Sequence, residues 1–165
     1  MAIDQAPYFR MCRDIYKKLG CPKPAVIHSQ FLPNLHEPKG KMSSSSNVNA
    51  TIFLDTKLED VHKILKKHAF SGAPETLEEL KIKGADLTID VCYKYLTYFM
   101  EDDNELNKIT KEYSCGKMST GEIKRITADV ICGIIKNHND NKNKITDEIV
   151  NMFFNKNRKF NILSN

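Results

Sequence analysis

Lys-Gly-Lys-Met-Ser-Ser-Ser, residues 39–45, ends a proline-containing loop and precedes the apolar run Ala50–Leu54. A lysine ammonium supplies a point charge for phosphates, and serine hydroxyls and loop N–H groups supply directed hydrogen bonds. Gly40 lets the loop change conformation, so Lys41 can act mainly on a transition state. The stretch therefore predicts a mobile nucleotide-binding loop. Taken alone, it leaves a flexible linker or a phosphorylation site open as alternatives.

A near-copy of this string, Gly-Lys-Met-Ser-Thr at residues 116–120, has a different sequence context. Ser119 is followed three residues later by Glu122, which is the pattern of a helix capping box. An apolar series at helical spacing comes next: Ile123, Ile126, Val130 and Ile134. This second copy therefore predicts the start of a helix.

Residues 41–45 resemble the second signature of class I aminoacyl-tRNA synthetases, Lys-Met-Ser-Lys-Ser, with Ser44 in place of the second lysine. Ala2–Gln5 and Pro7–Asp14 are similar to the segment that closes the amino-acid and ATP pocket in the tryptophan branch of that family. The chain is identified as a member of the class I family. The resemblance implies a tryptophan–tRNA ligase, which activates tryptophan with ATP and transfers it to tRNA(Trp).

Two later blocks carry the resemblance into the second half of the chain. Lys67–Gly72 and Tyr95–Asp103 are similar to the helical domain of the eukaryotic-type tryptophan branch, and the tyrosine branch lacks them. All blocks occur in family order, from Ala2 to about Phe154. The His-Ile-Gly-His-type motif of the family is absent. We therefore expect this chain to be the C-terminal part of a longer enzyme and to lack full catalysis by itself.

The resemblance implies a mainly α fold in two parts. We expect residues 1–55 to be the C-terminal end of a class I Rossmann-type α/β catalytic domain, and residues 56–165 to be an all-α anticodon-binding bundle. The apolar run Pro24–His28 predicts a buried parallel strand, which needs neighbours and helices on both faces.

Helical patterns fill most of the remaining chain. We expect a helix from about Pro7 to Leu19, and a second one that begins after a cap at Asp55 or Thr56. In the second helix Leu58, Val61, Leu65 and His68 share one face. Further helices are predicted near residues 74–83, 88–100, 103–114, 119–138 and 145–154, with residues 137–143 as a polar connection.

Composition excludes several classes of protein. Apolar residues make up 41% of the 165 residues and charged residues 28%, as in ordinary globular proteins, and the net charge is +4. The five cysteines lack Cys-x-x-Cys spacing, which argues against a disulfide scaffold or a zinc site. No apolar run approaches the roughly 20 residues that span a bilayer. Basic residues cluster in Lys57–His68 and Lys142–Lys159, as solvated helix faces or as phosphate contacts.

The resemblance assigns roles in activation residue by residue. Lys41 would contact the leaving pyrophosphate, supported by Ser43 and Ser45. The residues expected to bind the rest of ATP are Asp4 at the ribose and Ile27, His28 and Met42 at the adenine. Gln5 would orient tryptophan. The residues alone leave two alternatives open, a helix cap for Asp4 and an ordinary exposed amide for Gln5.

The remaining expectations concern partners. ATP would arrive with Mg²⁺ bridging its phosphates, without a protein-bound metal, in a cytoplasmic enzyme that is a homodimer at full length and does not bind membranes. In the helical part, Ser71, Gly72 and Glu75 are candidate tRNA contacts, although Ala73-Pro74 departs from the family pattern. The aromatic residues of the fourth helix are core or stacking surfaces: Tyr93, Tyr95, Tyr98 and Phe99. A non-catalytic tRNA- or partner-binding fragment is the alternative function.

Overall fold

The computed structural model describes residues 1–43 and 50–158. A short 3-10 helix, Ile3–Gln5, precedes the α-helices of these ranges. The α-helices are α1 Ala6–Tyr16, α2 Leu58–His68, α3 Leu77–Lys83, α4 Val91–Phe99, α5 Asp103–Ser114, α6 Thr120–Lys142 and α7 Asp147–Phe154. The helical pattern predicted from Asp55 onward is confirmed.

Helix α1 carries Pro7 in its first turn, where the missing N–H costs no hydrogen bond. It ends at Tyr16, earlier than the predicted Leu19, and a turn follows that closes on Gly20 at φ 69°. Its apolar side chains are largely exposed, including Tyr8 and Met11. The helix is held by its N-terminal connection to residues 1–5 and by the Arg13 guanidinium, which donates to the Pro24 carbonyl at 2.8 Å.

Helices α2, α4 and α6 enclose the core. Val61 and Leu65 of α2 have no exposed surface, as predicted for that face, whereas Leu58 is 42% exposed. Leu35, which precedes α2 in a loop, is also fully buried in this core. Burying one such side chain is worth about 1.5–3 kcal/mol, so Leu35 anchors this loop to the core.

Helix α6 begins with the predicted capping box. The Ser119 hydroxyl accepts the N–H of Glu122 at 3.2 Å, and the Glu122 carboxylate accepts the Ser119 N–H at 2.7 Å. The buried side chains are Ile123, Thr127, Ala128, Ile131 and Ile135, so the buried face is rotated from the predicted series. Thr127 is a polar residue on this buried face. Its burial is tolerated because its hydroxyl donates to the Ile123 carbonyl at 2.8 Å.

The prediction that residues 137–143 form a connection is wrong, because α6 continues to Lys142. The Asn141 amide donates to the Asn137 side-chain oxygen one turn earlier at 2.9 Å. Asparagine disfavours helices when its side chain competes for backbone groups, and here the two amides bond to each other. None of the helices in the described ranges, α6 included, is long and apolar enough to cross a membrane.

The predicted cap of α2 is also wrong. Lys57 holds the N-cap position and makes no side-chain capping bond. The Thr56 hydroxyl instead accepts the Phe53 N–H at 2.8 Å, so it closes the turn that precedes the helix.

The prediction of a buried strand at Pro24–His28 is wrong for this chain. The segment is extended, but Ile27 is 85% exposed, and pairing is confined to a bridge between Ala2 and Ser29. That bridge is parallel, with the Ile3 N–H donating to the Ser29 carbonyl at 3.0 Å. A buried strand needs paired backbone on both edges and side chains covering both faces. Residues 1–3 supply one edge alone.

Candidate nucleotide-binding site

Residues 31–43, here called the signature hairpin, form a short antiparallel turn. Pro33 and Lys41 lie opposite each other in an isolated bridge. The Asn34 N–H donates to the Gly40 carbonyl at 2.9 Å, and the Met42 N–H donates to the Leu32 carbonyl at 2.8 Å. The backbone of Lys41 is thereby fixed on both sides by hydrogen bonds of its neighbours.

Lys41 lies beside two residues that are distant in sequence. Its ammonium is 3.9 Å from a carboxylate oxygen of Asp4 and 5.0 Å from the ring centroid of Phe31. The two charged side chains are 59% and 42% exposed, and such pairs contribute about 0–1 kcal/mol. Asp4 does not cap α1, whose N-cap is Gln5 without a side-chain bond, so that alternative is wrong. Lys41 can therefore exchange Asp4 for a phosphate at little cost.

A cleft of about 310 Å³ opens next to this pair. Its lining includes Lys39, Lys41 and Lys94 together with the aromatic residues Phe31 and Tyr98. Several cations around a concave surface raise the local concentration of anions. The chemistry of the cleft suits an anionic ligand with a flat ring.

The residue expected at tryptophan, Gln5, and two residues expected at ATP, Ile27 and His28, do not line this cleft. Gln5 is exposed next to Asp4 in the 3-10 helix. Ile27 and His28 are both exposed, on the extended segment that pairs with residues 1–3. The structure therefore brings Asp4 and Lys41 together, and it leaves Ile27 and His28 on an open surface.

The residues that follow Lys41 are partly accounted for. Met42 packs against the hydrophobic core, and its N–H is used inside the hairpin. A contact from that N–H to adenine would break a hairpin hydrogen bond. The Ser43 carbonyl accepts the Thr51 hydroxyl at 3.4 Å, and Ser45 lies outside the described residues.

A second cluster of polar groups lies under the turn predicted to contact tRNA. Asp90 is 1% exposed, and its Oδ2 accepts the Gly72 N–H at 2.9 Å and the Tyr113 hydroxyl at 2.8 Å. The Ser71 hydroxyl is 3.3 Å from the same oxygen, while Glu75 is exposed. Ser71 and Gly72 are thus used to hold the turn, and Glu75 presents its carboxylate to solvent.

Asp90 was missed by the sequence analysis, although a signal for it was available. It directly precedes the apolar run that begins at Val91, and its Oδ1 accepts the Tyr93 N–H at 2.9 Å as the N-cap of α4. Burial, with the Asp90 charge adding to it, raises the pKa of Tyr113 above its ordinary range. The phenol is therefore maintained as a hydrogen-bond donor to Asp90.

The α4 aromatics divide between core and surface. Tyr95 is 3% exposed, as expected for core, whereas Tyr98 is 46% exposed. The Tyr93 hydroxyl is bonded to the Thr110 hydroxyl of α5 at 2.9 Å. Tyr98 is thus the most solvent-exposed tyrosine of this helix.

Part of the predicted basic cluster lines a concavity of about 280 Å³ between α2 and α6. Lys66 contributes from α2, and Lys124 and Arg125 contribute from the first turns of α6. Lys63 is engaged elsewhere, since its ammonium is 2.9 Å from Asp60. Three cations on one concave surface favour binding of phosphate groups.

The cysteines and acidic residues give no further site. All five cysteines are free thiols, and burial, with a smaller contribution from the Asp90 charge, raises the pKa of Cys92 to about 12. Within residues 1–43 and 50–158, no group of three or more His, Cys, Asp and Glu side chains is arranged to hold a metal ion.

Comparison with known proteins identifies the family. Residues 3–135 match the family described as tRNA synthetases class I (W and Y). The cytoplasmic tryptophan–tRNA ligase of Dictyostelium discoideum is 49% identical over 92% of this chain, and the human one is 44% identical over the same share. The chain spans 38% and 32% of their respective lengths.

Solved structures give the same result. The tryptophanyl-tRNA synthetase of Giardia lamblia superposes with a TM-score of 0.84 at 38% identity, over 90% of this chain and 37% of that one. The enzyme of Plasmodium falciparum gives 0.80 at 41% identity, over 93% and 39%. The chain therefore belongs to the class I tRNA synthetases of the W and Y group.

Proposed function

We propose that this chain forms about a third of a tryptophan–tRNA ligase, which joins tryptophan to tRNA(Trp) at the expense of ATP. The observation that carries the proposal is the signature hairpin, which holds Lys41 beside Asp4 at a cationic cleft. Its relatives named tryptophan–tRNA ligase cover the same stretch. They are about two and a half to three times as long, so we expect the chain alone to lack full catalysis.

Activation requires little covalent chemistry from the protein. The tryptophan carboxylate attacks the α-phosphorus of ATP, the bond to the β-phosphate oxygen breaks, and pyrophosphate leaves. Catalysis then consists of positioning and of stabilising the charge that develops on the phosphates. Lys41 would stabilise the leaving pyrophosphate, with Ser43 and Ser45 supporting it.

The contacts with the rest of the substrates follow from position. The Asp4 carboxylate would accept ribose hydroxyls, which frees the Lys41 ammonium from its exposed ion pair. Gln5, one residue further along the 3-10 helix, would orient tryptophan. Ile27, His28 and Met42 would border the adenine. Because Ile27 and His28 are exposed, they would form an open edge instead of an enclosed pocket.

Mg²⁺ belongs to the ATP substrate in this proposal. It prefers octahedral coordination, keeps several waters and usually bridges phosphates. We assign no residue of this chain as its ligand.

We propose that the chain divides at residues 55 and 56. Residues 1–55 would complete the catalytic domain, and residues 56–165 would bind the anticodon end of tRNA(Trp). Glu75 is exposed at the turn above Asp90 and would meet a base edge. The concavity at Lys66, Lys124 and Arg125 would meet the phosphates. Like the relatives named cytoplasmic, the enzyme would act in the cytoplasm, as a homodimer.

The test is tryptophan-dependent ATP–pyrophosphate exchange in a chimera. This chain replaces the matching segment of the Dictyostelium discoideum relative, which supplies the remainder. Lys41→Ala should lower exchange by roughly 10²–10³-fold, the scale of losing one charge-stabilising contact. Lys39→Ala is the matched control, because Lys39 lines the same cleft and belongs to the same hairpin but precedes the signature residues 41–45.

An effect of Lys41→Ala below about fivefold, or equal to that of Lys39→Ala, would reject the role of Lys41. A chimera that is folded but inactive with Lys41 intact would reject the catalytic function.

The second candidate function is a non-catalytic tRNA- or partner-binding fragment. The observation that favours it is the concavity at Lys66, Lys124 and Arg125, which does not involve the signature hairpin. Such a fragment should bind tRNA without ATP or tryptophan, and the affinity should fall steeply as salt rises. Absent or salt-insensitive binding would exclude the tRNA-binding form.

A further inference from the structure

The signature hairpin is attached to helix α4 by a buried hydrogen bond. Tyr95 is 3% exposed, and its hydroxyl donates to the Pro33 carbonyl at 2.9 Å. Burial raises the pKa of this phenol above its ordinary range, so the hydroxyl keeps its proton. Pro33 is the residue opposite Lys41 in the hairpin. The bond therefore anchors the side of the hairpin that pairs with the backbone of Lys41.

A continuous series of polar groups leads from Tyr95 to Lys41. The Pro33 carbonyl and the Asn34 N–H belong to one peptide unit. That N–H donates to the Gly40 carbonyl at 2.9 Å, and the Gly40 carbonyl belongs to the peptide unit that ends in the Lys41 nitrogen. Hydrogen bonds in such a series polarise one another. Two bonds and two rigid peptide planes thus connect the Tyr95 hydroxyl to the Lys41 backbone.

Other contacts between α4 and this region are more exposed. The Lys94 ammonium donates to the Pro38 carbonyl at 3.3 Å, and the Tyr98 hydroxyl donates to the Gln30 side-chain oxygen at 3.3 Å. Both bonds are longer than that of Tyr95 and more accessible to water, which competes for their partners. Among the contacts from α4, Tyr95 is therefore the one whose loss the hairpin can least replace. Leu35 holds the hairpin separately, through its buried side chain and through its carbonyl, which accepts the Phe70 N–H at 2.7 Å.

We propose that Tyr95 is a positioning residue for Lys41, through which helix α4 holds the signature hairpin in the geometry used for activation. The proposal rests on the proposed function for its catalytic consequence. Its structural half, that the Tyr95 hydroxyl fixes the hairpin, can be tested in the chain itself.

The structural half is measured by amide hydrogen exchange at Asn34 and Met42, whose N–H groups are bonded within the hairpin. Tyr95→Phe removes the hydroxyl and keeps the ring. Exchange at both amides should accelerate by about five- to tenfold, the equivalent of one hydrogen bond. Tyr93→Phe is the matched control, because it removes a hydroxyl from the same helix that bonds to Thr110 instead of the hairpin. Ile131 in the α6 core reports any change in global stability.

Acceleration at Asn34 and Met42 in Tyr95→Phe alone, with Ile131 unchanged, supports the proposal. Unchanged exchange in Tyr95→Phe overturns it, and so does an equal change in Tyr93→Phe.

The catalytic half is measured in the active chimera described above. Tyr95→Phe should lower kcat for pyrophosphate exchange by about tenfold while KM for tryptophan changes less than twofold. That split is expected because Lys41 acts on the leaving group and not on tryptophan binding. A KM effect without a kcat effect overturns the positioning role. A chimera inactive with Tyr95 intact overturns the proposed function instead, and amide exchange still decides whether Tyr95 holds the hairpin.

Discussion

Replacing Asp90 by alanine should be among the most destabilising changes in this chain. Its two carboxylate oxygens accept hydrogen bonds from three elements: the turn at Gly72, the Tyr113 hydroxyl of α5 and the Tyr93 N–H of α4. Asp90 is 1% exposed, so water cannot easily replace the missing acceptor. The change should therefore loosen the turn, α4 and α5 together.

The magnitude follows from the donors left behind. Loss of a helix N-cap costs about 1 kcal/mol. A buried donor without an acceptor costs about 1–3 kcal/mol, and Asp90→Ala leaves the Gly72 N–H in that state. The Tyr113 hydroxyl loses its bond to Asp90 but can still donate to the Ser71 hydroxyl, 3.1 Å away. We therefore expect a loss of about 2–4 kcal/mol in the free energy of unfolding, the sum of the cap and the one donor without an acceptor. For a chain of this size that lowers Tm by roughly 4–16 °C.

The assay is urea unfolding followed by circular dichroism, with Asp102→Ala as control. Asp102 is also an N-cap aspartate, accepting the Asn104 and Glu105 N–H groups at the start of α5, but it is exposed. Asp102→Ala should lower the free energy of unfolding by only about 1 kcal/mol. The difference between the two variants therefore measures the contribution of the buried hydrogen bonds of Asp90.

A double-mutant cycle with Tyr113→Phe sharpens the test. Because the two side chains share a hydrogen bond, their effects should be non-additive by at least about 0.5 kcal/mol. Equal effects of Asp90→Ala and Asp102→Ala, or strict additivity with Tyr113→Phe, would refute the reasoning.

Two further predictions concern pH and backbone geometry. Burial raises the pKa of Cys92 from its ordinary 9.0 to about 12, so the folded state retains a proton that the unfolded chain loses. The contribution of Cys92 to stability is complete well below pH 9 and should fall by about 1.4 kcal/mol per pH unit above it. Cys92→Ala should remove this loss of urea-measured stability between pH 9 and 10, below the range in which the buried phenols of Tyr95 and Tyr113 add a loss of their own, whereas the exposed Cys115→Ala should not. Gly84→Ala should cost several kcal/mol, because Gly84 has φ 71° and a Cβ there would lie 1.7 Å from the Ser114 carbonyl oxygen. Gly133→Ala, with open space at the Cβ inside α6, should instead gain about 0.5–1 kcal/mol, and equal thermal shifts for the two glycine variants would contradict this account.

Much of the helical half could be predicted because its signals are local. The capping box at Ser119 and Glu122 needs only residues within one turn, and it fixed the start of α6. The buried positions Val61 and Leu65 followed from helical periodicity in the same way. The end of α6 could not be predicted from composition, because the Asn137–Asn141 bond forms only once both side chains lie one turn apart on a helix.

The failures in the first half of the chain have a different cause. An apolar run such as Pro24–His28 forms a buried strand only if other segments pair with both of its edges and cover both of its faces. Residues 1–3 pair with one edge of this region. Residue types alone do not state what lies next to a segment.

The sequence by itself determined the family, the helical content and the lysine of the signature, because motif order and local periodicity are properties of the chain. Tertiary structure alone decided that Asp4 lies 3.9 Å from Lys41, that Asp90 joins three elements and that Tyr95 donates to Pro33. Apart from the local cap that Asp90 forms at Tyr93, these contacts join residues 18 or more positions apart. Their partners are selected by packing of the core, which no local pattern encodes.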